Sequence, residues 1–140
     1  MQSGLDIPDL KSIQDDVVAK RFDDALDSLD KLLSAEPDNP DALYMTAVCR
    51  RYKMNFNIAL EFLQKLKFVA PEHGRAHQEE GHTYRDMGKT DEALLAYSRA
   101  CRFNSALEAS WRGQLQILED KGLERQAQQV RAQLQRLQMM

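Results

Sequence analysis

The chain has 140 residues and a mass of 16.1 kDa, with 43% apolar and 29% charged residues, the size and balance of one ordinary globular domain. Its formal charge of −3 is uneven: ten acids against four bases leave −6 over residues 1–40, and twelve against fifteen leave +3 over 41–140. Such a distribution lacks the basic stripe of a nucleic-acid binder, and the longest apolar run, Ala93 to Tyr97, is five residues where a membrane-crossing helix takes about 20.

The opening residues Met1, Gln2, Ser3, Gly4, Leu5 and Asp6 carry neither a basic start nor an apolar leader. Cys49 and Cys101 are too few and too far apart for a disulfide framework or a zinc site, so both read as reduced packing residues. N-glycosylation sequons are absent. A cytoplasmic chain is expected. The Ala, Leu, Gln, Lys, Arg and Glu content, broken by only four prolines and six glycines, favours helix throughout.

In chain order the pattern predicts helices over 7–20, 22–35, 40–53, 56–69, 74–87, 90–103, 108–121 and 124–139. Asn39, Pro40 and Asp41 give the third an N-cap, a proline at its first position and an acid at the positive end of its dipole. Ser105 with Glu108 reads as a capping box for the seventh. Gly88 and Gly122 stand where the chain turns between paired helices, at positions that suit positive φ. The eighth stretch spaces Leu123, Ala127, Val130, Leu134 and Leu137 alternately by four and three along a helix with six glutamines. That spacing suits a polar-backed capping helix, or alternatively a short dimerisation seam. The end at Met139 and Met140, without a polar tail, reads as one piece of a longer protein.

A period of 34 residues organises these elements. Ala25, Ala59, Ala93 and Ala127 recur at that interval, and Pro37, Pro71 and Ser105 follow each of the first three by twelve residues. Units over 6–39, 40–73, 74–107 and 108–140 result, and the first is the poorest match, with Asp9, Asp16 and Lys20 where the third has His77, Tyr84 and Gly88. In the third unit Gly81, Tyr84, Gly88, Ala93, Tyr97 and Ala100 fall at the spacing of the tetratricopeptide (TPR) pattern, and Trp111 opens the fourth. Over nearly its whole length the chain resembles a TPR domain. The resemblance implies an all-α, right-handed superhelical solenoid of helix-turn-helix units forming one domain over 1–140. More weakly, the texture from Gly74 to Trp111 resembles the TPR regions preceding some bacterial sulfotransferases, with no sulfotransferase site residue present.

Chemistry finds little purchase. Gly88, Lys89 and Thr90 mimic the end of a phosphate-binding loop, but the glycine required five residues earlier is Thr83, inside a predicted helix. His73, His77 and His82 are spaced by four and five, which does not put all three on one helical face, so they read as surface or groove histidines. No nucleophile with a paired base stands out, and a solenoid of such units has no deep cleft that excludes water. The expectation is no enzyme, no catalytic residue, no cofactor and no metal.

What the resemblance supplies is a concave groove, lined by the first helix of each unit, that takes an extended peptide or a helix. Carried onto this sequence, the lining is Tyr44, Val48, Arg51 and Tyr52, then Arg75, Gln78, His82 and Arg85, then Arg112, Gln116 and Glu119. Arg51 and Arg85 hold the same place in consecutive units, and arginine forks suit carboxylates or phosphates. The competing reading pairs these arginines with nearby acids such as Asp86 or Glu119, to little effect. Trp111, Phe22, Phe56, Phe62 and Tyr97 fall on the apolar phase and are assigned to packing. The lysine and asparagine pair by which related domains clamp a chaperone C-terminus is not matched by Leu10 and Gln14, Tyr44 and Val48, Gln78 and His82, or Arg112 and Gln116. The expected role is therefore an interaction scaffold for a protein or peptide with acidic groups. The alternatives are an appendage of a larger bacterial enzyme such as a sulfotransferase, or a self-associating element forming a homodimer.

Overall fold

A computed structural model describes residues 7–140, and all regular structure among them is helical. The helices are α1 (Leu10–Val18), α2 (Phe22–Ala35), α3 (Pro40–Tyr52), α4 (Phe56–Val69), α5 (Gly74–Asp86), α6 (Thr90–Phe103), α7 (Glu108–Asp120) and α8 (Glu124–Gln138). From α4 onward each helix starts 34 residues after the helix two before it, and from α2 onward every predicted end is met within one residue. The exception is α1, three residues shorter at its start than the expected 7–20 and two at its end. Pro8 disfavours a helical residue before it, and Asp9 caps the helix by accepting from the Ser12 N–H at 2.8 Å.

One turn recurs inside each helix pair. The N–H groups of Arg21, Asn55, Lys89 and Leu123 donate to the carbonyls of Asp16, Arg50, Tyr84 and Leu118, five residues back, at 2.8–2.9 Å. Each preceding residue donates to the carbonyl three back, completing a Schellman motif whose pivot is left-handed. Gly88 (φ 79°) and Gly122 (φ 72°) fill two pivots as expected, whereas Lys20 (φ 63°) and Met54 (φ 64°) fill the others.

The junctions between pairs are less uniform. Asn39 caps α3 as its sequence suggests, its Oδ1 accepting from the Ala42 N–H at 3.0 Å. His73 caps α5, with Nδ1 accepting from the Ala76 N–H at 3.1 Å. The capping box expected of Ser105 and Glu108 does not form. Asn104 Oδ1 takes the Ala106 N–H at 3.0 Å and fixes the turn, so α7 starts at Glu108 itself and that carboxylate pairs with Arg112 instead. The Ser105 carbonyl accepts from the Trp111 indole at 2.9 Å.

The helices form two compact units, α1–α4 ending at Pro71 and α5–α8 beginning at Glu72. In the first, Ile13, Ala25, Leu29, Leu32, Ala42, Met45 and Cys49 make one buried cluster, with Phe22, Leu26 and Tyr44 packed against it. In the second, Ala93, Tyr97 and Ile117 form one cluster and Leu118, Ala127, Val130 and Leu134 another. The repeat alanines 25, 59, 93 and 127 are all at 0% exposure, as the need for close helix approach requires. Of the residues spaced by four and three along α8, Ala127, Val130 and Leu134 are buried with Leu118 and pack with Leu94, Trp111 and Leu115, whereas Leu123 is 41% exposed. No described helix is long and apolar enough to cross a membrane.

Candidate functional site

The centre of the second unit is the Tyr97 ring, wholly buried on α6. A Cβ on Gly81 of α5 would lie 2.6 Å from one edge of that ring, and a Cβ on Gly113 of α7 would lie 2.6 Å from the other. Only two glycines leave space for an aromatic ring among three helices here. Its hydroxyl reaches His82 Nδ1 at 2.6 Å. The Arg85 guanidinium, which can only donate, faces the same nitrogen at 3.4 Å and lies 5.8 Å above the Tyr97 ring. Because an arginine can only donate, the Arg85 contact is a hydrogen bond in the tautomer whose Nδ1 accepts. Thus a buried ring holds a half-buried histidine, which orients an exposed arginine.

Around this centre, Gln78 Oε1 accepts from the Ser110 hydroxyl at 2.8 Å, joining α5 to α7. Arg75 is exposed on the first turn of α5. On α7, Arg112 pairs with Glu108, Gln116 donates to Asp120 at 2.9 Å, and Glu119 meets Arg131 of α8 at 2.9 Å. The solvated-pair reading therefore describes Arg112, with a partner, Glu108, other than the acids singled out in the sequence. Arg131 also holds Glu124, and that hydrogen bond lowers the Glu124 carboxyl below its ordinary range.

In the first unit, α3 carries Tyr44 and Val48, both half-buried, and Tyr44 packs against the core cluster. Tyr52, at 52% exposure, stacks on Phe22 with centroids 5.0 Å apart, and the Arg51 guanidinium sits 4.6 Å above its ring. Arg51, Tyr52 and Phe22 thus form a layered face at the end of α3, one that joins a residue assigned to packing with two assigned to binding. Of the aromatic residues assigned to packing, Tyr97 alone is fully buried. Phe22, Phe56, Phe62 and Trp111 are half-buried.

The three histidines do three different jobs. His73 caps α5 and His82 bonds Tyr97, while His77 is 7% exposed and stacks on Phe103 at 5.1 Å. A surface position for His77 is thereby corrected: it occupies the place that Leu43 holds one period earlier, on the core-facing side. Glu79 and Glu80 are likewise buried on α5, in positions that the preceding unit fills with Met45 and Thr46, and nothing in the sequence marked them. Cys49 and Cys101 are buried free thiols. Burial pushes the Cys101 thiol up to about 11, against a hydrogen bond from Gln114 Nε2 at 3.2 Å that lowers it.

No family model and no curated protein matches the chain. Solved structures do. A crystal structure of MamA, a TPR-like protein, aligns with a TM-score of 0.82 at 20% identity over 93% of this chain and 76% of that one. MamA from Desulfovibrio magneticus RS-1, residue 41 to the end, aligns at 0.79 with 16% identity over 92% of this chain and 73% of that one. The structure of Naa15/Naa10 bound to HypK-THB, in which Naa15 has TPR repeats, aligns at 0.79 with 16% identity over 89% of this chain and 19% of that one. The likeness is one of fold: an all-α chain of TPR-type helix-turn-helix units.

Proposed function

We propose that the chain is a non-catalytic interaction module that holds a protein or peptide segment bearing acidic groups against the first helices of its units. The observation that carries this reading is the Tyr97, His82, Arg85 arrangement, in which the fold's own core holds a cation at the surface of α5. A guanidinium oriented beforehand loses less freedom on meeting a carboxylate than a loose one does. Arg51 over Tyr52 gives α3 a second such face, with an exposed aromatic ring beside it. Arg75, Gln78, Val48 and Tyr44 extend the two faces, and Arg112 and Gln116 contribute once their local acids are displaced. The structural neighbours support the same class of role, since one of them is a TPR-containing subunit in complex with other proteins.

The test is a panel of fluorescein-labelled acidic peptides measured by polarisation against the wild type and an Arg51→Ala, Arg85→Ala double variant. The double variant is expected to keep its helical circular dichroism and to lose about tenfold in affinity, the scale of one charge-assisted hydrogen bond at about 1.5 kcal/mol. Binding should also weaken with added salt. Equal affinity for the folded variant would sink the proposal.

A further inference from the structure

We infer that the first unit selects its partner by an apolar residue as well as by charge: the segment it fits carries a large apolar side chain flanked by carboxylates. This rests on the reading of the chain as a module for acidic peptides, and it assigns to the end of α3 the residue type that this face prefers.

The two turns of the first unit are held together. Tyr52 at the end of α3 stacks on Phe22 at the start of α2, and the neighbouring Lys53 and Asp23 form an ion pair. Apolar side chains stand out at both turns: Val18 is 82% exposed, Met54 72% and Tyr52 52%. One exposed apolar residue needs no explanation, whereas three at two joined turns mark a contact surface. The places of Tyr52 and Met54 are filled in the second unit by Asp86 and Gly88, then by Asp120 and Gly122, so the repeat itself requires no apolar group there. Met54 moreover adopts φ 64°, a conformation in which glycine escapes the clash of a Cβ with the backbone. Its exposed side chain gains little from the core to offset that cost, and a partner's apolar surface is what would use it.

The charge around these side chains specifies the occupant. Although residues 1–40 carry −6, residues 16–24 and 50–55, which make up the two turns, hold five bases against three acids. Two of the acids already have cations, Asp16 with Arg21 and Asp23 with Lys53. Lys20 is exposed at the first turn, and at the second the Arg51 guanidinium lies over the Tyr52 ring. A cation and an apolar side chain therefore occur together at each turn, and the complementary ligand alternates carboxylates with an apolar residue. The third acid, Asp24, is exposed and opposes a continuous anionic surface such as an acidic bilayer, so discrete carboxylates on a peptide fit better. Beside Arg85 stand Asp86 and Gly88, which offer no apolar surface, so the preference belongs to the first unit alone.

The test compares two fluorescein-labelled peptides of glycine and serine that differ in one residue, one carrying Glu-Leu-Glu and the other Glu-Ala-Glu, by polarisation against the full chain. The leucine peptide is expected to bind roughly fivefold more tightly, the scale of partly burying one leucine side chain. Met54→Gly should remove most of that preference while unfolding in urea no more easily than the wild type, so the lost binding is not lost folding. Leu95→Ala, which trims an exposed apolar side chain on α6, should keep it. Equal binding of the two peptides by the wild type overturns the inference and leaves the acidic-peptide reading standing. So does a Met54→Gly variant that prefers leucine as the wild type does. Binding of neither peptide overturns both. Capture by phosphatidylserine vesicles that Met54→Gly abolishes, with no leucine preference among peptides, overturns it in favour of a lipid surface.

Discussion

Four residues at one place in the repeat show what a single backbone angle decides. Lys20, Met54, Gly88 and Gly122 all pivot a Schellman turn with φ between 63° and 79°. For a residue with a Cβ the left-handed region costs about 1–2 kcal/mol, and glycine escapes that cost while losing more freedom on folding. Lys20→Gly and Met54→Gly should therefore each stabilise the protein by about 1 kcal/mol, and Gly88→Ala should destabilise it by about the same amount. A Cβ at Gly88 would meet nothing within 4 Å, so the loss there belongs to the backbone alone. Urea unfolding of the three variants checks the signs, and a neutral Gly88→Ala would contradict the argument.

At the scale of elements, close approach of helices is set by which residue fills the shared register. Leu29, Leu63 and Tyr97 stand 34 residues apart and are all fully buried. The corresponding register of the first helices holds Ile13, Ala47 and Gly81, and Gly81 is the residue that meets the Tyr97 ring. Gly113→Ala is expected to cost about 1–3 kcal/mol through overpacking against Tyr97. Combining it with Tyr97→Leu should recover part of that loss, because leucine is what this register holds elsewhere. Thermal melts of the single and double variants decide it, and strict additivity would show that the ring is not what the new methyl meets. Other repeated contacts are weaker. Asp23 pairs with Lys53 and Asp91 with Lys121, each joining the start of a second helix to the end of the following first helix. Both acids are exposed, where such pairs contribute about 0–1 kcal/mol.

For the molecule as a whole, each helix pair needs a neighbour to cover its apolar face, and α8 covers part of that face in the second unit. Its buried Ala127, Val130 and Leu134 cover Leu118, Trp111 and Leu115, while the residues on its other side are exposed and mostly glutamine and arginine. Removing residues 124–140 is expected to uncover that cluster, lower the melting temperature and drive concentration-dependent association visible by light scattering. A truncated chain that stays monomeric and melts unchanged would show that α8 does not provide this cover.

The period of 34 determined the helix count, their pairing and nearly every boundary, because one small side chain per unit and one turn per pair recur without insertion. Its glycines even announced the left-handed pivots. The candidate faces were legible only as positions: the sequence placed Arg85 and His82 on one helix, but not the Tyr97 hydroxyl that holds them, since that contact spans fifteen residues and depends on two glycines opening space for a ring. Likewise His77, Glu79 and Glu80 look like a solvated run in the sequence and are buried in the fold. Local periodicity is a property of the chain and survives in the one-dimensional record. Which polar group loses its water is decided only when helices distant in sequence are packed together.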